Sequence, residues 1–235
     1  MTTKLHTLPI PFKQTFLSAL AAMIGFCVSA SAQITPDNSP QPPLMDREKE
    51  MTLALSSCPR SVASKAAVYV LEKSGYVKIR ESQNDFTAIV QHVRPNSLEP
   101  QCMDSEGART FLPRILKIAE LRAQGKTPQE VQAFLSDAMA KGIFPAPTRP
   151  GVIYMLSDQN LNTNGKGEVF PPHVMFFGTH LTNTDLGVDG KDLGPDGNPK
   201  GPTFVAGDGS PFGMIIVPVR TQTGTGAPDK SPHNH

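Results

Sequence analysis

Four segments of the chain carry apolar residues in an arrangement that predicts α-helices. They cover residues 46–55, 59–75, 113–123 and 127–142. The last one opens with Thr127-Pro-Gln-Glu130, a capping box in which the threonine and the glutamate each bond the other's backbone amide. A short glycine-containing break separates the last two segments. We therefore expect these two helices to form a helical hairpin.

Alternating apolar and polar residues predict a β-hairpin after the second helix. Residues 76–80 and 86–90 both alternate, which is typical of half-buried strands. Ser82-Gln-Asn-Asp85 lies between them and has the composition of a turn. The two strands are therefore expected to pair with each other.

Three short apolar runs later in the chain predict strands that are buried on both faces. They cover residues 152–156, 174–177 and 213–217, and long polar loops at 157–172 and 178–211 join them. Together with the hairpin and the helices, these runs predict an α+β domain. We expect a mostly antiparallel sheet of about five strands with helices packed on one face and long polar loops.

The N-terminal segment has the three parts of a secretory signal peptide. Two lysines and no acidic residue accompany an apolar run at 16–28, and the small residues Ala30 and Ala32 follow it. This pattern predicts cleavage between Ala32 and Gln33, which would remove residues 1–32. The alternative is an uncleaved membrane anchor, but the run is shorter than the roughly 20 apolar residues that span a bilayer.

Composition divides the rest of the chain into one domain with two tails. Residues 33–43 are rich in proline and polar residues, and residues 221–235 have no apolar pattern, so both are predicted to be disordered. The single α+β domain is expected to cover 44–220. Because it contains no second apolar stretch of membrane-spanning length, we expect no membrane span in the mature chain.

The charge balance argues against a nucleic acid partner. The full chain has 22 basic and 21 acidic residues, and the predicted signal peptide removes two lysines, so the mature chain is close to neutral. Phosphate binding needs clustered lysines and arginines, and the sequence shows no basic run.

Two cysteines remain after the predicted cleavage, Cys58 and Cys102. An even number of cysteines in an oxidising compartment favours a disulfide. The alternatives are two free thiols, or a reactive Cys58 whose pKa is lowered at the start of the helix predicted from Pro59.

Two stretches carry a resemblance to a known family. Arg149-Pro-Gly-Val-Ile-Tyr-Met-Leu156 and Pro171-Pro-His-Val-Met-Phe-Phe177 resemble a family of uncharacterised secreted bacterial proteins with no assigned activity. The resemblance runs from about Met51 to Val219 and includes Glu99-Pro-Gln-Cys102. It implies export and a shared domain, and it favours a periplasmic over a fully secreted location. It implies no chemistry.

The second of these apolar runs, which directly follows His173, suggests a binding site. His173, Met175 and Phe177 are two residues apart and share one face of a strand, and Tyr154 belongs to the run before them. They could line a pocket if the strands pair, or they could be ordinary sheet core. His92 could approach His173 and contribute to a metal site, although no complete metal-ligand spacing is present.

A polar segment resembles the start of a calcium-binding loop. Asp158, Asn160 and Asn162 offer side-chain oxygens at alternating positions. Counted from Asn160, the position of the bidentate glutamate is occupied by Pro171, so the match to an EF-hand fails there. Turn chemistry is the alternative interpretation.

These observations favour a binding protein over an enzyme. The sequence has no hydrolase signature such as Gly-x-Ser-x-Gly or His-Glu-x-x-His, and we expect no cofactor. We expect an exported cell-envelope protein that binds a small ligand or another exported protein. The alternatives are an envelope hydrolase with a site around His173, and a structural component of the envelope.

Overall fold

The computed structural model describes residues 42–94, 97–161, 170–188 and 203–219. The predicted signal peptide with its cleavage site Ala32–Gln33 lies outside these residues, as does the predicted tail at 221–235. No helix in the described ranges is long and apolar enough to cross a membrane.

Five α-helices and one short 3-10 helix are present in the described part of the chain. The helices are α1 (Arg47–Ser56), α2 (Arg60–Ala63), α3 (Ser105–Thr110), α4 (Leu112–Ala123), α5 (Pro128–Ala140) and the 3-10 helix Thr184–Leu186. Asp46 caps α1, since its carboxylate accepts from two backbone amides of the first turn. The predicted capping box of α5 is present in full, with both reciprocal hydrogen bonds between Thr127 and Glu130.

One eight-stranded sheet runs through the molecule, so the α+β class is confirmed but the expected number of about five strands is wrong. The strands are β1 (Ala67–Glu72), β2 (Gly75–Arg80), β3 (Thr87–Gln91), β4 (Glu99–Met103), β5 (Val152–Met155), β6 (His173–Phe177), β7 (Phe204–Ala206) and β8 (Met214–Pro218). Their order is β2-β1-β3-β4-β5-β6-β8-β7. The expected mostly antiparallel pairing holds, and among the strands of the described ranges only β1 and β3 pair in parallel.

The long helix predicted for 59–75 is wrong. The helix ends after one turn at Ala63, and the chain then enters β1, where Val68 and Val70 are fully buried. Residues of a strand covered on both faces show no polar alternation, so a short apolar run fits either structure. The β-branched and aromatic residues of Val68-Tyr-Val70 favour the strand.

The hairpin predicted between 76–80 and 86–90 pairs the wrong strands. Both segments are strands, but β2 turns back onto β1 through Lys73 and Ser74, and Glu72 faces Gly75. β3 lies on the other side of β1. The predicted turn at 82–85 instead ties the chain to α2, since the Asn84 amide donates to the Val62 carbonyl.

Helices cover both faces of the sheet, which corrects the expectation of a single covered face. Neighbouring residues of each central strand alternate between two apolar cores. The core beside α1 contains Leu53, Ala54, Val68, Val70, Ala88, Val90 and Cys102. The core beside α3, α4 and α5 contains Ile89, Met103, Phe111, Leu112, Ile115, Ala138, Ile153, Met155 and Met175.

A disulfide joins Cys58, between α1 and α2, to Cys102 in β4, as the even cysteine count predicted. Their Cα atoms are 5.1 Å apart. The bond lies in the core beside α1, where both cysteines are buried. It fastens the first helical segment to the middle of the sheet, so the reactive-thiol alternative for Cys58 does not apply.

Candidate functional site

His173 is sealed inside the core, with 3% of its surface exposed. Its Nδ1 lies 2.8 Å from the Pro171 carbonyl, and its ring packs edge-on against Phe170 at a centroid distance of 4.7 Å. Burial lowers the pKa of the imidazole, so the ring is neutral near pH 7. A general base needs access to its substrate, and this position gives none.

The four binding candidates divide between the two faces of the sheet. His173, Met175 and Phe177 share the face beside α3 and α4, where Met175 and Phe177 belong to the core. Tyr154 points to the opposite face and stacks on Phe86 at 6.2 Å. The structure therefore brings three of the four together, as packed core, and separates the fourth from them by the thickness of the sheet.

The predicted metal candidates do not assemble into a metal site within the described residues. These residues contain no group of three or more His, Cys, Asp and Glu side chains that could hold a metal ion. His92 is buried, and its Nδ1 lies 2.8 Å from the Ser97 carbonyl. Asp158 is exposed, Asn160 is fully buried, and Asn162 lies outside the described ranges.

A cavity of about 380 Å³ lies between α4, α5, the β1–β2 ribbon and the chain after β3. We call it the α4–α5 cavity. Its wall is mainly apolar, formed by Ile115, Ile118, Ala119, Val131, Leu135 and Met139, with Tyr76 and His92 behind them. A second depression of about 520 Å³ lies along α1, but it is an open groove bordered by Asp46, Glu48 and Lys49.

The hairpin of α4 and α5 creates this cavity because α5 packs loosely. Only Val131 and Ala138 of its 13 residues are buried. Leu135 is half-buried, and Met139 stands 37% exposed at the rim. A helix normally buries a continuous apolar stripe. On α5 part of that stripe faces the cavity rather than other side chains.

Arg114 is the unusual charge in the wall of the cavity. It lies in the first turn of α4, and its guanidinium sits 5.6 Å from the ring centre of Phe111 and 5.5 Å from that of Phe212. Burial lowers its pKa. Among the described residues no carboxylate forms an ion pair with it. Within the described ranges, the contacts of this cation are the cation–π contacts with the two rings.

Arg122, two turns further along α4, has a structural role. Its guanidinium donates to the carbonyl of His92 at 2.7 Å and to that of Val93 at 2.8 Å. These two bonds fix the chain after β3 against α4. The arginine therefore shapes the end of the cavity opposite Arg114.

Two side chains, the buried Glu50 and the half-buried Tyr76, fill a gap in the sheet behind the cavity. After Val68 the strands β1 and β3 separate. The Glu50 carboxylate accepts from the Leu71 amide at 2.9 Å, and the Tyr76 hydroxyl donates to the Val90 carbonyl at 2.5 Å. Both backbone groups thereby gain the partners that a neighbouring strand would supply.

Burial changes the protonation of this region. Desolvation raises the pKa of both Glu50 and Glu99 to about 7. One oxygen of each carboxyl has no hydrogen-bond partner among the described residues. Burial also raises the pKa of Tyr76 and lowers that of His92. At pH 7 the carboxyls of Glu50 and Glu99 are therefore each only partly ionised.

Comparison with protein-family models, curated proteins and solved structures gives no match to this chain. The predicted resemblance to a family of secreted bacterial proteins therefore stays a prediction. The assignment of the site rests on its geometry.

Sequence reasoning missed the α4–α5 cavity, although one signal for it was present. Arg114 and Ile118 are four residues apart and share one face of α4, so an arginine interrupts the apolar stripe. A charged residue is uncommon within the apolar stripe of a helix. The contribution of β1, β2 and Tyr76 could not be read from the sequence, because it depends on the strand pairing.

Proposed function

We propose that this protein is an exported bacterial binding protein that holds a small, largely apolar molecule in the α4–α5 cavity without chemical turnover. The observation that carries the proposal is the cavity itself. Its volume of about 380 Å³ lies within the range of ligand pockets, roughly 300–1,000 Å³. An apolar wall with a few polar groups is the usual composition of such a site.

The polar groups of the cavity support binding rather than catalysis. The Tyr76 hydroxyl and the Arg122 guanidinium are both engaged with backbone carbonyls, and they stabilise the wall. The alternative of an envelope hydrolase rested on His173, which is buried away from this cavity. Its position supports no catalytic role.

The disulfide supports the proposed location outside the cytoplasm. Disulfides persist in oxidising compartments such as the periplasm, and they are rare in the cytosol. The Cys58–Cys102 bond is compatible with the export that the predicted signal peptide implies. Intact mass measurement of protein exported by a bacterial host tests the export directly, because a chain that begins at Gln33 is expected.

Blocking the cavity tests the proposed function. We expect the uncharged fluorescent probe N-phenyl-1-naphthylamine to bind saturably to the wild-type protein with one site per chain. Leu135→Trp places a large ring in the cavity and should abolish this binding. The matched control is Ala133→Trp, on the exposed side of the same helix.

This titration tests whether the α4–α5 cavity is the binding site. Retained binding by Ala133→Trp and lost binding by Leu135→Trp would support the site. The proposal is wrong if the wild-type protein shows no saturable binding, or if both tryptophan variants bind as the wild type does. Circular dichroism of each variant checks that the fold is kept.

A further inference from the structure

Arg114, at the start of α4, indicates which chemical class of ligand the cavity binds. We propose that the α4–α5 cavity takes an amphiphile with a single anionic head, and that the head binds the Arg114 guanidinium while the apolar part lies along α4 and α5. This inference rests on the proposed function of the cavity. It names the chemical class of the ligand.

The surroundings of Arg114 leave its hydrogen-bonding capacity unused. A guanidinium has five N–H donors. Within the described residues, those of Arg114 form no hydrogen bond, and the guanidinium contacts the rings of Phe111 and Phe212. Arg114 is half-buried, and even partial burial of a cation without a paired anion is unfavourable. A carboxylate or a phosphate of a ligand would supply the missing charge and would accept two parallel hydrogen bonds.

The other charges at the cavity favour an anion as well. Among the described residues that line it are three arginines, Arg94, Arg114 and Arg122, and one carboxylate, that of the exposed Glu72. The buried carboxyls behind the wall, Glu50 and Glu99, have pKa values of about 7 and so contribute only part of a negative charge each at neutral pH. A cationic ligand would meet repulsion here.

The remaining shape of the cavity fits an apolar tail. Arg114 and Arg122 are eight residues apart on α4, a distance of about 12 Å along the helix. Ile118 lies between them, and Val131 and Leu135 of α5 also line the cavity. A ligand anchored at Arg114 would therefore extend along this apolar strip toward the Arg122 end.

Three probes that share one tail and differ in their heads test the inference. Decanoate, decanol and decyltrimethylammonium would each compete with N-phenyl-1-naphthylamine, below their micellar concentrations. We expect decanoate to bind the wild-type protein about 10- to 100-fold more tightly than decanol, as a charge-assisted hydrogen bond implies. Decyltrimethylammonium should be the weakest. Adding decyl phosphate shows whether the site prefers a carboxylate or a phosphate head.

Substitution of the arginine provides the second arm of the test. Arg114→Met should bring the ratio of decanoate to decanol affinity close to one, and Arg114→Lys should restore part of it. Arg60→Met is the control, because Arg60 is exposed on α2 and does not line the cavity. It should keep the wild-type ratio.

The possible results separate this inference from the function on which it rests. If decanol and decanoate compete equally well for the wild-type protein, the anionic head is excluded while the apolar binding site stands. The same holds if Arg114→Met keeps the full preference for decanoate. If no probe binds at all, the proposed function fails and the ligand class fails with it. The comparison of decanoate with decanol on the wild-type protein tests the anionic head even if Arg114→Met does not fold.

Discussion

Two polar side chains, the buried Glu50 and the half-buried Tyr76, explain how this sheet tolerates an irregular centre. Where β1 and β3 diverge, the backbone amide of Leu71 and the carbonyl of Val90 would lack partners without Glu50 and Tyr76. An unpaired buried backbone group costs about 1–3 kcal/mol, so these two side chains contribute directly to stability.

The cost of this arrangement is a carboxyl that is difficult to ionise. The folded-state pKa of Glu50 is about 7, above its ordinary value of 4.5, so the folded protein holds this proton more tightly than the unfolded chain does. Its contribution to stability is therefore fully present below pH 4.5 and is lost as the pH rises through 7.

Glu50→Gln should remove this pH dependence. The glutamine keeps an oxygen for the Leu71 amide and cannot ionise, so we expect the variant to be more stable than the wild type at pH 8, by on the order of 2 kcal/mol. The advantage should be several-fold smaller at pH 5. Urea unfolding of both proteins from pH 5 to 8 measures it. Glu48→Gln, on the exposed face of α1, is the control and should follow the wild type.

The raised pKa of Glu50 would have no support if the two unfolding curves differed by the same amount at pH 5 and pH 8. The comparison with Glu48→Gln matters because His92 and His173 also make the stability depend on pH. His92 and His173 have lowered pKa values, so their effect on stability has the opposite sign. Both histidines are present in all three proteins and cancel in the difference.

Among the helices and strands, local signals were sufficient where an element has clear ends. The capping box predicted α5 to within a few residues, because Thr127 and Glu130 act on each other within one turn. The 59–75 segment has no such constraint beyond its start, and the tertiary environment decides that Ala67–Glu72 is a strand. The sheet has three more strands than expected, because the tertiary environment also decides which other segments become strands.

The strand β4 shows why polar elements escaped the prediction. Glu99 and Gln101 are both buried, and Pro100 lies between them, so the sequence has neither alternation nor an apolar run. Gln101 is accommodated because its amide donates to the Gln91 side chain at 2.7 Å. That partner lies on the neighbouring strand, and a local pattern cannot indicate it. The same limit applies to the α4–α5 cavity, whose wall comes from helices, strands and a loop.

The loose packing of α5 has a consequence that hydrogen exchange can measure. α5 buries two residues, whereas Leu112, Ile115, Ala119 and Leu121 of the slightly shorter α4 are all buried. A helix with few buried contacts opens at a lower free energy. We therefore expect the amides of α5 to exchange faster than those of α4 in the free protein.

Occupation of the cavity should slow the exchange of α5 selectively. A saturating concentration of N-phenyl-1-naphthylamine is expected to protect α5, while α1 on the opposite face of the sheet should keep its exchange rate. Leu135→Trp should show slow exchange in α5 without any probe, because its ring fills the space. Equal exchange in α4 and α5 of the free protein would contradict this account of how the cavity forms.

At the scale of the whole molecule, two cores share one sheet and a single covalent bond reinforces one of them. Helix α1 holds the sheet from one side, and α3, α4 and α5 hold it from the other. The disulfide fixes the α1 side, because Cys102 lies on β4 in the middle of the strand order. The side that contains the proposed binding cavity has no disulfide among the described residues and depends on packing.

Removing the disulfide should therefore lower global stability and leave the cavity intact. Cys58 and Cys102 are 44 residues apart, and closing a loop of that length stabilises a protein by about 4 kcal/mol in the chain-entropy model. We expect the double variant Cys58→Ala/Cys102→Ala to lose a stability of this order in urea unfolding. Below its unfolding transition it should still bind N-phenyl-1-naphthylamine with wild-type affinity, since both cysteines lie across the sheet from α4 and α5. Lost binding in a variant that remains folded would show that the two sides of the sheet are coupled.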